Sequence, residues 1–283
     1  MWNKPLKQVI GVAAGGVATL ELDAESATLV NLKFKLTGTT FNTSHIDRVK
    51  VKIGPKTIWD LTGAQLAAIN AYKNGAVNTR YLWLDFVERD QANFPVKEIG
   101  GIDLMAVLPV GKVTVELTIN ASAVAPRIDA IGYFEQRQGN TVVVKYMPFT
   151  QTQAFAGKQT LNLSFRGAMV KRLLNFYTGT DWTATTDGNV SRIECKKNGV
   201  VFFDQNCTDN RFDQSQFKKV PQSRLYVVDY LIDNNHFAQV ASMRQLEDKS
   251  YMYDSFEINA YLTDPGGTAS TVVVEVLDDV TNL

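Results

Sequence analysis

The sequence predicts an all-β chain built as two tandem eight-stranded jelly-roll barrels with short helical insertions. Three observations carry that expectation. The 283 residues repeat themselves along the chain. The apolar segments are short, rich in Val, Ile, Phe, Tyr and Thr, and alternate with polar residues, which is the period of a half-buried strand. Turn dipeptides separate them: "GP" at 54–55, "NG" at 198–199 and "DPGG" at 264–267. About seven or eight such segments fall in each half, the number that two packed antiparallel sheets with long crossovers require.

The elements follow in order. "VIGVAAGGVATL", preceded by Lys4 and Lys7, faintly resembles a secretory leader. It runs into "TLEL" at 19–22, which recurs as "TLNL" at 160–163, so it reads as mature structure. "TGTTF" at 37–41 recurs as "TGTDW" at 178–182, at the same offset of 141. "RVKVKIGPKTIWD" at 48–60 recurs as "RIECKKNGVVFFD" at 192–204, an offset of 144, the second copy having gained three residues in "TATTDGNV". In the first hairpin Val49, Val51 and Ile53 point one way and Arg48, Lys50 and Lys52 the other.

A helix is expected over "TGAQLAAINAYKNG" at 62–75. Thr62 and Gln65 have the spacing of a capping box, Gly75 is a stop, and Leu66, Ile69 and Tyr72 share a face. It reads as a cover for a barrel edge, with a weaker counterpart around 208–218. "YLWLDF" at 81–86 recurs as "LYVVDY" at 225–230. "VTVELTI" at 113–119 is matched to "VVVEVLD" at 272–278, an offset of 159, which implies about fifteen extra residues late in the second half. The seam lies in 120–140, giving domains 1–132 and 133–283. At about 100–200 residues per domain, two domains are expected, each large enough for its own core.

The bulk numbers narrow the function. Lys plus Arg and Asp plus Glu are both 29, so the net charge is zero. Without a basic surplus or a Lys/Arg block, direct nucleic-acid binding is not expected. No apolar run reaches the 18 residues of a membrane span. Cys195 takes an inward strand position, that of Val51 in the first copy, and reads as a small core residue. Pairing with Cys207 stays open.

No catalytic motif is visible. His45 and His236 are isolated and sit in loop-like surroundings, so a cupin-type metal site is not expected. No G-x-S-x-G, P-loop or dinucleotide fingerprint occurs. Asp85 and Asp229 recur at equivalent positions, as do Asp60 and Asp204. One acid per barrel is poorly placed to flank a glycosidic bond, and these read as strand-end or turn carboxylates. Asp204, Asp209 and Asp213 lack EF-hand spacing. Trp59 and Trp182 stand where the other copy has Phe203 and Phe41, which points to core packing, while Trp2 has no such partner. The expected catalytic, cofactor-binding and metal residues are therefore none, with a structural Ca2+ of unassigned ligands kept open.

The chain resembles the double jelly-roll major capsid proteins of tailless, internal-membrane-containing bacteriophages, nearest to the corticovirus type. The resemblance is carried by "VAAGG…TLEL", "HIDRVKVKIGPKTIWDLTGAQL", "YLWLDFVERD", "VTVELTINASAVAPRIDAIGYFE" and "LYVVDYLIDNNHFAQVASMRQLEDKSYMYDSFEINAYL". It implies a viral structural protein and not an enzyme, located in the virion after synthesis in host cytoplasm. It implies homotrimers whose six barrels make a pseudo-hexameric tile of an icosahedral shell. The implied partners are other copies of the chain, penton proteins, minor membrane-associated virion proteins and, by way of Lys4 and Lys7, the internal membrane. The alternatives are a glycan-binding or spike-like β-sandwich module and a two-barrel amidase-type hydrolase.

Overall fold

The computed structural model describes residues 1–73, 75–89, 99–152, 155–163, 168–177, 190–233, 240–241, 243–245, 247–248, 251–263 and 269–282. "TATTDGNV" apart from its Val190, Trp182, His236 and the "DPGG" turn lie outside them.

The first half contains β1 (Trp2–Pro5), β2 (Val17–Glu21), β3 (Ala27–Thr37), β4 (Ile46–Ile53), β5 (Lys56–Thr62), helix α1 (Gly63–Tyr72), β6 (Tyr81–Asp85), β7 (Ile102–Asp103), β8 (Val113–Ile119) and β9 (Arg127–Gln136). The second contains β10 (Val142–Thr152), β11 (Gly157–Leu163), β12 (Met169–Tyr177), β13 (Val190–Lys197), β14 (Val200–Asn206), helix α2 (Cys207–Gln216), β15 (Leu225–Asp229), β16 (Val240–Ala241), β17 (Met243–Gln245), β18 (Tyr251–Tyr253), β19 (Phe256–Leu262) and β20 (Ala269–Asp279).

The sheets state the duplication in full. In the first half one sheet runs β1-β9-β3-β6 with β7 beside β3, and the other runs β2-β8-β4-β5. In the second half they run β10-β20-β12-β15 with β16 beside β12, and β11-β19-β13-β14. Strand for strand, this is one topology used twice, the jelly roll the sequence predicts. The second half adds a β17-β18 ribbon. The inward rows are apolar. Val49, Val51, Val115 and Leu117 face the first core with Leu32, Phe34, Leu36 and Leu84, and Ile193, Cys195, Ile258 and Val228 serve the second. Each such side chain contributes about 1.5–3 kcal/mol on leaving water.

Even the irregularities recur. The β4–β5 ladder is bulged between Val51 and Lys52, and β13–β14 between Cys195 and Lys196. The β4–β8 ladder is bulged between Ile46 and Arg48, and β13–β19 between Val190 and Arg192. Both pairs of bulges are 144 residues apart. A bulge adds one unpaired residue and sharpens the twist, so the two hairpins bend alike. Their turns differ in sequence and in backbone, since Pro55 cannot take the positive φ that Gly199 takes. Asn198 and Gly199 take φ of 51° and 79°, as a tight hairpin demands. Gly54 takes φ of 56°, and a Cβ there would sit 2.3 Å from the Val110 carbonyl oxygen.

One sequence alignment is corrected. Val51 pairs with Val115 on β8, and Cys195 pairs with Ile258 on β19. The counterpart of "VTVELTI" is therefore "FEINAYL" at 256–262, at an offset of 143, and "VVVEVLD" lies within β20, the counterpart of β9. The second half carries no fifteen-residue gain at this point. Two valine-alternating strands read alike in sequence, and only the register separates them.

By contacts the chain divides into unit 1 (Met1–Ala71, Gly75–Met147, Leu277–Leu283) and unit 2 (Tyr72–Asn74, Pro148–Val276). Residue 132, where the sequence places the seam, lies inside β9, which pairs with β3 from Ala27↔Gln136 to Thr37↔Arg127.

Helix α1 starts on its expected box. The Thr62 N–H donates to Gln65 Oε1 at 2.9 Å, and the Gln65 N–H donates to Thr62 Oγ1 at 3.1 Å. Leu66, Ile69 and Tyr72 are buried. The helix sits over the sheet-edge strand β6, where Asn70 Nδ2 donates to the Trp83 carbonyl at 2.8 Å. In unit 2, Gln214 of α2 stands 144 residues on and donates to the Val227 carbonyl of edge strand β15 at 2.9 Å.

Candidate functional site

The twin hairpins carry twin ion pairs. Arg48 Nε and Nη2 reach the Asp60 carboxylate at 2.5 and 2.7 Å, and Arg192 grips Asp204 in the same forked way. The Arg192 hydrogen bond holds the Asp204 carboxyl below its usual 3.8. The Arg192 guanidinium also lies 4.9 Å over the Tyr261 ring. Both pairs are largely exposed, where solvent screening leaves an ion pair little net stability. They tie the two hairpin strands together and offer no acid to a substrate.

The other repeated acids are buried. Asp85 ends β6 and accepts from Asn31 Nδ2 on β3. Asp229 ends β15, and its neighbour across the ladder is Arg172 on β12, the counterpart of Asn31. In unit 2 this exchange of an amide for a guanidinium sits within a buried charge network. Arg172 lies 3.0 Å from Asp229 Oδ1 and 3.1 Å from Glu275 Oε2. Lys73 and Lys171 lie 2.9 and 3.3 Å from Glu275 Oε1. The Tyr72 hydroxyl donates to Asp229 Oδ2 at 2.9 Å. Burial and the Asp229 charge push the Tyr72 phenol well above its usual range. Arg172, Lys171 and Glu275 are at most 1% exposed. In a low-dielectric interior such a network is costly to break. Sequence reading missed it, although "MVKRLLNFY" did carry a signal, a pair of cations inside an otherwise apolar strand.

The remaining residues of interest fall as follows. Cys195 and Cys207 are buried and not disulfide-bonded, and burial raises Cys195 to about 12. His45 closes a single helical turn, Thr43–His45, with Nδ1 2.9 Å from Asn42 Oδ1. Trp59 is core, as expected: its Nε1 donates to the Val144 carbonyl at 2.8 Å and its ring packs on Phe86 and Tyr146. Trp2 is 45% exposed and stacks on Phe134. Lys4 pairs with Glu25 and Lys7 with Asp23, so neither presents free charge. Asp204 is held by Arg192 and Asp213 by Gln205. Among the described residues no group of three or more His, Cys, Asp or Glu is placed to hold a metal ion. No helix among them is long and apolar enough to cross a membrane.

What stands out is a surface. In unit 1 the hairpin residues Ile58 and Trp59 are 1% exposed. In unit 2 the matching edge strand β14 is open: Val200 is 68% exposed, Val201 44% and Phe202 37%. Phe212 on α2 and Phe217 just beyond it are exposed too. An apolar edge strand left open is a template for association, and exposed apolar patches mark interaction sites.

Twinned jelly rolls of this topology define the double jelly-roll class of viral capsid protein. The chain belongs to the viral coat protein P2 family: the model of the N-terminal domain matches residues 3–136 and that of the C-terminal domain residues 143–280. The fold matches the major capsid protein P2 from bacteriophage PM2 over 100% of this chain and 99% of that one, with a TM-score of 0.80 at 15% identity. It matches a chain of Sulfolobus Turreted Icosahedral Virus over 97% of this chain and 90% of that one, at 0.64 and 12%. It matches the PBCV-1 virus capsid over 98% and 92%, at 0.64 and 10%. No curated protein matches by sequence. The protein is a viral coat protein and its place is the virion.

Proposed function

We propose that this chain builds an icosahedral shell over an internal membrane as a homotrimer, acting as scaffold and not as catalyst. The observation that carries the reading is the exposed apolar row of β14, in a chain whose matching strand β5 has Lys56 and Thr57 at the positions of Val200 and Val201 and buries Ile58. Three two-barrel chains give six similar barrels around one axis, a near-hexagonal tile. Head-to-tail contacts close such a ring. In this reading the β14 edge and the α2 aromatics of each chain are covered by the next chain. Penton proteins and minor membrane-associated proteins complete the shell. A peripheral membrane contact draws on exposed Met1, Trp2 and Ile10, because Lys4 and Lys7 are already paired.

Native mass spectrometry tests this. Three chains of 31.4 kDa give a trimer near 94 kDa. Val200→Lys, at a position 68% exposed, should yield the 31.4 kDa monomer with unchanged circular dichroism. A wild-type chain that stays monomeric at every concentration overturns the reading.

A further inference from the structure

We propose that unit 1 carries a binding pocket for an acidic saccharide on the outer face of β3 and β6. The pocket measures about 360 Å³ and is lined by Lys33, Asn70, Asn78, Tyr81, Trp83 and Arg89, with Gly75 and Ala76 at its margin. That volume suits a small ligand.

The alternation of the strands creates it. Leu32 and Phe34 point into the core, which turns Lys33 outward. Trp83 lies directly across the ladder from Lys33, and Tyr81 sits two positions further along β6. Tyr133 on β9 completes the group, 5.1 Å from Trp83 ring to ring. Lys33 Nζ lies 5.7 Å from the Tyr81 centroid and 5.5 Å from that of Tyr133.

One cation here lacks an anionic partner. Lys33 is half-buried, and among the described residues its charge is met by aromatic faces and by no carboxylate. The Trp83 ring lines the pocket and supplies it with an aromatic wall. The Arg89 guanidinium, 5.8 Å over the Trp83 ring, adds a second cation at the rim, although it is shared with Asp85. The missing complement is a ligand with an anionic group, further acceptors and a flat apolar face for the rings. A sugar ring bearing a carboxylate has all three.

The fold does not require this set. By the repeat offsets, Lys33, Tyr81 and Trp83 correspond to Leu174, Leu225 and Val227 in unit 2, all buried aliphatics. The same sheet in the same topology is therefore stable without a lysine among aromatic rings.

Isothermal titration of the full-length protein with glucuronic acid, N-acetylneuraminic acid, glucose and acetate tests the assignment. The acidic sugars should bind saturably, at least about tenfold more tightly than glucose or acetate. Lys33→Met should weaken them by about tenfold or more. Trp83→Phe, which keeps a ring and removes the N–H, should weaken them less. Matching thermal midpoints establish that the variants are folded. Binding of glucose or acetate equal to that of the acids, insensitivity to Lys33→Met, or no saturable binding overturns the proposal. None of these outcomes touches the coat assignment, which native mass reads separately.

Discussion

Arg172→Met is the sharpest perturbation of the buried network. The guanidinium bridges Asp229 at 3.0 Å and Glu275 at 3.1 Å, with side chains at most 1% exposed. Methionine keeps much of the volume and removes the charge, leaving two buried carboxylates with one fewer cation. Removing one partner of a buried pair costs about 3–5 kcal/mol. For a cooperative unit of this size each kcal/mol moves the midpoint by about 2–4 °C, so the expected fall is about 6–20 °C. The control is Arg48→Met, which breaks an ion pair whose arginine is 53% exposed and should cost at most about 1 kcal/mol. Both variants are compared with wild type by scanning calorimetry at neutral pH and one fixed chain concentration, since assembly itself shifts apparent stability. A loss in Arg172→Met no larger than in Arg48→Met refutes the claim that this network holds unit 2 together.

Other consequences are simpler to read. Cys195 and Cys207 are buried, and Cys195 is raised to about 12 by burial, so neither thiol should react with Ellman's reagent at mildly alkaline pH until urea unfolds the chain. Reaction in the native state contradicts that burial. Thr62→Ala removes one half of the capping box and should cost about 1 kcal/mol, read as a lower urea midpoint. The Asp204 carboxyl is held below 3.8 by Arg192. Its contribution to stability is present above pH 3.8 and is lost as pH falls through the lowered value. Acid-unfolding curves of wild type and Arg192→Met should therefore differ above that window and converge below it.

The sequence made the duplication, the hairpins and the capped helix legible because each rests on local chemistry: alternation, an Asn-Gly turn, a Thr-x-x-Gln box. It misled where chemistry is degenerate. "VTVELTI" and "VVVEVLD" are both valine ladders, and only pairing partners 60 or more residues away distinguish β8 from β20. The buried network was hard to read for a related reason. Lys73, the adjacent Lys171 and Arg172, Asp229 and Glu275 come from four separate stretches of the chain, and only the pair of cations inside the apolar "MVKRLLNFY" hints at it. The pocket around Lys33 is likewise assembled from three strands, though the alternation of "NLKFKL" and "YLWLDF" already placed Lys33 and Trp83 on outward faces.

Because the chain contains its own second example, it separates what the fold needs from what varies on it. Features present in both halves are demands of the jelly roll: the two bulges, the forked Arg–Asp pair, and the helix amide that donates to an edge-strand carbonyl. Features present once are free of that demand. Asn31 became a charge hub at Arg172, Lys33 corresponds to a buried Leu174, and the side chain buried at Ile58 is part-exposed at Phe202. If exposure at β14 were merely tolerated, Phe202→Asp would leave the assembly as it is and cost only the part of the ring that packs on Tyr230 and Phe256. If the exposure serves association, the same change abolishes the trimer while Ile58→Asp, at the closed edge, destabilises unit 1 itself. The two substitutions are one position in the repeat, so their different failures read the division of labour between the halves directly.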